Sequence, residues 1–352
     1  MGAGTRRQTL STPVPAGKST PYAPEATCGP PKQELRDAFK QQTRLCWITV
    51  AYQLLAVVIV STVAGGSQAL KTEWVENALA ILPPLAVLLT HATENRDSDA
   101  RHPFGYQRIG TIAFLGTAFL LLGIGVLLSF EAAQNLLTGE RPAIGGIALF
   151  GHTVWRGWVM IVVLIVTAVP PVLLARAKLK VAKLLHDKPL FADADINEAN
   201  WLSNGAGVIG LVLVAFGFWW GDSAAALLIS LDILRDGFRT VRRSLADVMD
   251  RAPVDMETDK PDPLLQNVYN AVRAVPWVAD VRVLLREHGR YVFAEIFVST
   301  TDNAPPPGDA TLAIRQAAMP LDWRLRHVAV ELTNDVEQAS NILTRSELDI
   351  EG

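Results

Sequence analysis

The chain has 352 residues, of which 50% are apolar and 19% are charged, with a formal net charge of −3. Low charge together with long apolar runs is typical of a membrane protein. A chain so close to neutral has no electrostatic basis for binding nucleic acid. Its two cysteines, Cys28 and Cys46, make neither a disulfide framework nor a thiolate metal cluster.

The first segment, residues 1–40, begins with a stretch rich in Pro, Ser, Thr and Gly, which predicts a disordered N-terminal cytoplasmic tail. No apolar core of a secretory signal is present there, and the first apolar run is long enough to stay in the bilayer.

Four apolar runs are secure membrane spans, because a hydrocarbon core of about 30 Å needs about 20 helical residues. They lie between Arg44 and Lys71, between Arg108 and Glu131, between Arg156 and Arg176, and over residues 201–221. Two further segments are weaker. Residues 77–90 are only 14 long and must take in Glu76 to span. Residues 223–231 span only if the helix continues through Asp232, Arg235 and Asp236.

Loop charge favours six spans over residues 41–250, with both termini cytoplasmic. In that arrangement 14 Lys and Arg residues, Lys178 among them, flank the inside, against three outside: Lys71, Arg141 and Arg156. This asymmetry is what the positive-inside rule expects.

Residues 255–335 change to a soluble pattern. Leu265, Val268 and Val272 recur at helical spacing, two alternating strands follow, Asp309 could cap a second helix, and residues 328–332 alternate as a third strand. The order predicts a small open-faced sheet with two helices on one face. Residues 336–352 are predicted to be a C-terminal tail.

Three motifs occur in order along this topology. They are residues 102–106 (HPFGY) followed by Arg108, residues 192–194 (ADA) followed by 202–206 (LSNGA), and residues 250–253 (DRAP). Through these motifs the chain resembles the cation diffusion facilitator (cation-efflux) family over about residues 40–335.

The resemblance implies an α-helical membrane protein, with a six-transmembrane-helix bundle followed by a cytoplasmic α+β ferredoxin-like dimerisation domain. It implies a multi-pass homodimer in the lipid bilayer of an inner or plasma membrane. The substrate would be a divalent metal ion (zinc, manganese, iron or similar), exported by proton antiport and alternating access, with no permanently bound cofactor. No nucleophile motif or phosphate loop appears, so we do not expect an enzyme.

The family's four transport ligands fall on Glu76 and Ala80 of the second helix and on Ile196 and Asn200 of the fifth. Alanine and isoleucine cannot bind a metal, so one carboxylate and one amide remain. Asp193 or Asp195 could supply a second acid. Alternatively, Glu76, Asn200, Asn77 and water would make an oxygen-only site, which suits harder ions such as magnesium, manganese or calcium.

Acids inside a membrane helix are costly and are functional candidates by default. Asp232 and Asp236 are therefore a candidate intramembrane relay, although Asp232 could instead pair with Arg235 or Arg239 near the interface. For Glu76 we expect burial, the alternative being an interfacial residue beside Glu73.

Pro83-Pro84 should bend or break the second helix, either opening a cavity near Glu76 or making a packing kink.

The two lost ligands leave a second functional class open. In that class the chain is a transport-inactive paralogue that acts as a membrane scaffold or as the partner subunit of an intact family member.

Overall fold

The computed structural model describes residues 33–94, 96, 98–149, 152–256, 258, 260–300 and 308–341. The predicted N-terminal tail lies outside this part up to residue 32, and its last eight predicted positions already belong to the first helix. Most of the described chain is helical. The helices before the C-terminal region are α1 (Gln33–Val63), α2 (Gln68–Leu79), α3 (Leu82–Glu94), α4 (Ile109–Thr138), α5 (Arg156–Leu185), α6 (Lys188–Ala215) and α7 (Gly221–Val248).

Four helical stretches in the described residues are long and apolar enough to cross a membrane: α1, α2 with α3, α4 and α5. The second of them contains the segment 77–90, which looked marginal in the sequence. Large apolar side chains remain exposed on these helices, among them Leu127 and Phe130 of α4 and Val166 of α5. Such a surface suits contact with lipid chains.

Helices α6 and α7 have 28 residues each, close to the 30 or 31 of α1, α4 and α5, and α7 carries the most charged residues, eight. The apolar stretch predicted over residues 201–221 lies in α6 only as far as Ala215, after which the chain turns through Gly217 at φ 93° and α7 begins at Gly221. Helix α7 packs along α4, and their backbones approach closely at two glycines. A Cβ on Gly125 would lie 2.9 Å from the Cα of Leu234, and one on Gly237 would lie 2.6 Å from the Leu122 nitrogen.

The predicted break in the second helix occurs between α2 and α3. Pro83 and Pro84 follow Leu82 in the first turn of α3, where a missing backbone N–H is tolerated. Neither proline can donate to the carbonyls of Leu79 and Ala80, so the α2 ladder ends there.

Outside the bundle, α4 and α5 are joined by a short hairpin of β1 (Gly146–Leu149) and β2 (His152–Trp155), which the sequence analysis did not predict.

The C-terminal region has the predicted order helix, strand, strand, helix, strand. Its elements are α8 (Leu264–Arg273), β3 (Val278–His288), β4 (Tyr291–Thr300), α9 (Ala310–Ala318) and β5 (Leu325–Leu332), followed by the short helix α10 (Val336–Asn341). Strand β4 is central, antiparallel to β3 and parallel to β5.

Both helices share one core with the sheet, as predicted, and its members include Val268, Val272, Ile296 and Ile314. Two details of the prediction differ. Leu264 is buried while Leu265 is 37% exposed, because the helix turns its apolar face one residue earlier. Asp309 occupies the N-cap position of α9, but its side chain makes no capping hydrogen bond.

The junction between the bundle and this region centres on Arg290, in the turn between β3 and β4. The guanidinium of Arg290 bonds Asp187 and Glu94, each at 3.0 Å, and lies 4.8 Å from the Phe39 ring centroid. Asp187 also caps α6 by accepting from the Leu190 N–H at 2.9 Å. One buried cation therefore joins α1, α3 and α6 to the C-terminal region.

A second contact at the junction involves the HPFGY loop. Asp99 organises this loop by accepting hydrogen bonds from the Tyr106 hydroxyl at 2.6 Å and from the His102 N–H at 2.7 Å. The hydrogen bond from Tyr106 is the largest factor that lowers the pKa of Asp99 to about 2. Beyond the loop, Arg108 pairs with Asp250.

Candidate functional site

Helix α2 is anchored by Asp222, a fully buried acid at the start of α7. Its carboxylate accepts from the Ser67 hydroxyl and the Gln68 N–H, both at 2.5 Å, and from the Ala69 N–H at 3.4 Å. These are the first donors of α2, which have no partner within their own helix. The anchor sets the start of α2 against α7 and so orients the acids one and two turns further along.

Glu76 is brought to the meeting point of α2, α6 and α7. Ser203 of α6 lies beside its carboxylate, and Glu73, Asp232 and Asp236 lie close enough to interact with it electrostatically. Its Oε2 atom is buried and has no hydrogen-bond partner among the described residues. A buried carboxylate oxygen that lacks a donor is costly, so this arrangement suits a place where charge arrives from outside.

Asp232 and Asp236, the candidate relay, lie four residues apart on one side of α7, near Glu76. The Oδ2 atom of Asp232 accepts from Ser203 at 3.4 Å, while its Oδ1 atom is 3.9 Å from the guanidinium of Arg235. The Arg235 side chain is 76% exposed, so this pair is weak. Asp232 thus contacts Ser203, a neighbour of Glu76, and makes a weak ion pair with the exposed Arg235.

Asn77 and Asn200 are both buried, as a site would require. The Asn77 amide donates to the Glu73 carbonyl at 2.8 Å and to the Glu73 carboxylate at 3.1 Å. Asn200 accepts from the Asn204 amide at its backbone and side-chain oxygens, at 3.0 and 3.3 Å. Asn77 therefore contacts Glu73 directly, and Asn200 contacts Asn204.

Asp193 and Asp195 are not placed beside Glu76, which corrects the expectation that one of them supplies a second acid. Asp193 is buried and pairs with Lys178 at 2.5 Å, and its other oxygen accepts from Asn197 at 2.9 Å. Asp195 pairs with Arg239 at 2.8 Å in the C-terminal half of α7. Each acid already has a cation, and the rise of α6 places Asp193 about 15 Å from the level of Ser203.

The two lost family positions are occupied by apolar residues. Ala80 is the C-cap of α2, and its N–H still donates to the Glu76 carbonyl at 2.9 Å, so it follows Glu76 on the helix but carries only a methyl group. Ile196 is a part-buried apolar residue of α6. Within the described ranges, no three His, Cys, Asp or Glu side chains are grouped to hold a metal ion.

Three polar residues at this site were not selected from the sequence: Glu73, Ser203 and Asn204. Glu73 was read as an interfacial residue, yet it is 1% exposed. Its position three residues before Glu76 and four before Asn77 places all three on one side of α2, and that spacing could have identified it.

Comparison with known proteins agrees with this architecture. The model of the cation efflux transmembrane domain matches residues 45–249, more than half of the chain. The chain belongs to the cation efflux family. Members of this family are transporters of divalent metal ions and not enzymes, and they generally act as dimers in a lipid bilayer.

Among curated relatives of this cation efflux protein, the cation-efflux pump FieF of Cronobacter sakazakii is 25% identical over 73% of the chain and 79% of the relative. The manganese efflux system protein MneS of Bacillus subtilis is 26% identical over 52% of the chain and 60% of the relative. The magnetosome protein MamB of Paramagnetospirillum magneticum is 25% identical over 64% of the chain and 69% of the relative.

Proposed function

We propose that this chain is a homodimeric exporter that moves a divalent metal ion out of the cytoplasm in exchange for protons, with Glu76 as the anionic ligand. The proposal rests on the Glu76 carboxylate, whose Oε2 atom is buried without a donor in the described residues while Ser203, Asp232 and Asp236 surround it. Protonation of this acid would release the metal, which couples the two ions in opposite directions.

The proposed architecture has six spans, with α2 and α3 forming one broken span and α6 and α7 the last two, and both termini in the cytoplasm. The loop-charge asymmetry supports this orientation. The αββαβ order of the C-terminal region supports a ferredoxin-like cytoplasmic domain over residues 255–335.

Cytoplasmic access is supported by an open cleft between the ends of α6 and α7 and the C-terminal region. Its walls include Thr240, Ser244 and Asp247 of α7. Thr240 and Ser244 continue the four-residue spacing of Asp232 and Asp236, which places these residues on one side of the helix. In this scheme Asp236 and Asp232 relay the ion or its protons between the cleft and Glu76.

The ion we favour is Mn²⁺. The groups around Glu76 supply oxygen and no imidazole or thiolate, and oxygen ligands suit harder ions more than zinc. The manganese efflux protein of Bacillus subtilis is a relative with that named substrate.

The test is metal flux into proteoliposomes, run separately with Mn²⁺, Fe²⁺, Zn²⁺ and Mg²⁺. Wild type should carry Mn²⁺ against a proton gradient, and Glu76→Gln should lose at least tenfold in rate. The matched control is Glu131→Gln, an exposed acid of α4 paired with Lys71 at 2.8 Å, which should retain wild-type flux.

A second function is favoured by one observation. The two acids considered as replacements for the lost ligand Ile196, Asp193 and Asp195, are both paired with cations. In that case the chain is a scaffold or partner subunit of an intact family member. Absence of flux with all four ions, together with co-purification of an intact relative, would select this function and reject the first.

A further inference from the structure

We propose that Glu73 and Asn204, with Asn200, form a second, oxygen-only cation position one helical turn outward from Glu76. This inference rests on the proposed transport function and adds two ligands, Glu73 and Asn204, that do not fall on the family's ligand positions; Asn200 does.

The first observation is Glu73 itself. The residue is 1% exposed, and its Oε1 atom accepts from the Asn77 amide at 3.1 Å. Its Oε2 atom is buried and has no donor among the described residues. An ionised carboxylate has two acceptor oxygens and no donor, so the Oε2 atom of Glu73 needs a hydrogen-bond donor or a cation beside it.

The second observation is independent and comes from α6. Asn204 is 2% exposed, and its amide nitrogen is committed to Asn200 at 3.0 and 3.3 Å. That leaves its Oδ1 atom, which is buried and lacks a donor in the part of the chain that the structure describes. The Asn204 amide lies beside the Glu73 carboxylate. The Asn204 side chain is thus a hydrogen-bonding neighbour of the Glu73 carboxylate, and its Oδ1 atom remains beside that acid as an acceptor without a donor in the described residues.

The location follows from helix geometry. Glu73 precedes Glu76 by three residues on α2, and Asn204 follows Asn200 by four on α6, which corresponds to about 4.5–6 Å along each axis. The helices run in opposite directions, so both shifts are toward the outer side in the proposed orientation. The methyl group of Ala80 supplies no ligand at the family's inner position, and the polar pair one turn outward takes its place.

The chemistry of the ligands selects the ion. Carboxylate and amide oxygens, without nitrogen or sulfur, suit Mn²⁺, Mg²⁺ or Ca²⁺ more than Zn²⁺. An ion that occupied this position would lie on the outward path from Glu76, as a second stop before release.

The test is Mn²⁺ binding to the purified full-length protein, measured by titration calorimetry with Zn²⁺ as a second probe. Asn204→Leu and Glu73→Gln should each weaken Mn²⁺ binding at least tenfold. Asn204→Asp, which keeps an oxygen and adds a charge, should bind Mn²⁺ at least as tightly as wild type.

The matched control is Asn197→Leu. Asn197 lies seven residues earlier on the same helix, is equally buried, and likewise donates to the residue four positions before it. It should bind Mn²⁺ within twofold of wild type.

The outcomes separate this inference from the transport proposal. If Mn²⁺ flux depends on Glu76 but Asn204→Leu and Glu73→Gln bind Mn²⁺ as wild type does, the outward position is wrong and transport stands. If Mn²⁺ binds with the expected dependence on Glu73 and Asn204 but no flux occurs, the position stands and transport fails. If Asn204→Leu does not fold, Glu73→Gln and Asn204→Asp decide the question. If wild type binds no Mn²⁺, the position is overturned.

Discussion

Two groups of acids contact helix α6, and they differ in whether their carboxylate oxygens have hydrogen-bond donors. Near the start of α6, Asp193 pairs with Lys178, and both of its carboxylate oxygens are hydrogen-bonded. About 15 Å further along the axis, Asn204 and Ser203 face Glu73 and Glu76, whose neighbours include further acids and whose Oε2 atoms lack donors in the described residues. A paired buried acid holds helices together, whereas an acid left open in the membrane is suited to receive an ion.

The largest test of this contrast is removal of the cation from the paired group. Lys178→Met leaves Asp193 buried without its partner, and we expect it to lower the free energy of unfolding by about 3–5 kcal/mol. The measurement is denaturation of the purified protein in mixed detergent micelles.

The double variant Lys178→Met/Asp193→Leu removes both charges and should recover most of that loss. Equal losses in the single and double variants would mean that the pair contributes packing and not charge compensation.

The next test asks whether the same logic holds at the domain junction, where Asp187 and Glu94 share Arg290. Arg290→Ala strands two buried carboxylates, and hydrogen bonds to charged groups contribute about 1.5–3 kcal/mol. We expect a loss near the upper end of that range, together with faster proteolysis between residues 250 and 264.

The control for this variant is Arg326→Ala, whose exposed guanidinium lies over the Tyr291 ring at 4.7 Å. It should change stability little. A comparable loss for Arg326→Ala would remove the special role of Arg290.

A smaller effect on stability is expected from His288, a part-buried imidazole beside cations that favour its neutral form. Burial, then Arg108 and Arg286, lower the pKa of His288 to about 4, against the weaker opposing effect of Asp250. Its Nε2 atom is 3.0 Å from the Arg108 guanidinium. Between pH 6.5 and 4 the folded chain holds fewer protons at this residue than the unfolded chain, so stability falls as the pH is lowered through that window.

At pH 5 this contribution is about 2 kcal/mol relative to pH 7.5. The neighbouring Glu287 acts in the opposite direction, because burial raises its pKa to about 7 despite Lys188. The measurement is therefore a difference: thermal unfolding of wild type and His288→Gln at both pH values. Identical pH dependence in the two proteins would show that His288 is not the responsible group.

Much of this arrangement could be read from the sequence. The break in the second helix followed from two prolines that cannot donate. The expectation of a buried Glu76 followed from an apolar stretch too short to span alone, and the structure buries its Oε2 atom while the residue as a whole is part-exposed. The order of elements in the C-terminal region followed from alternation and helical spacing, since each element covers one face of a common core.

The sequence did not predict which acids of α6 form ion pairs with cations of α5. Lys178 was counted among the cytoplasmic flanking cations, but it is a fully buried residue of α5 that reaches Asp193 across the turn at His186 and Asp187. Which acid receives a cation depends on the rotation of two antiparallel helices, and one sequence does not specify that rotation. For the same reason Glu73 and Glu76, both acids of α2, could not be assigned separate neighbours.

The smallest expected effect is at the outer surface, where Lys71 pairs with Glu131 at 2.8 Å. This distance resembles that of the Lys178 pair, yet the two side chains are 57% and 44% exposed. Water already solvates both charges, so Lys71→Ala should change the free energy of unfolding by less than about 1 kcal/mol. The same denaturation assay used for Lys178→Met measures it, at low and at high salt. A loss as large as that of Lys178→Met would mean that contact distance, and not burial, sets the worth of an ion pair in this protein.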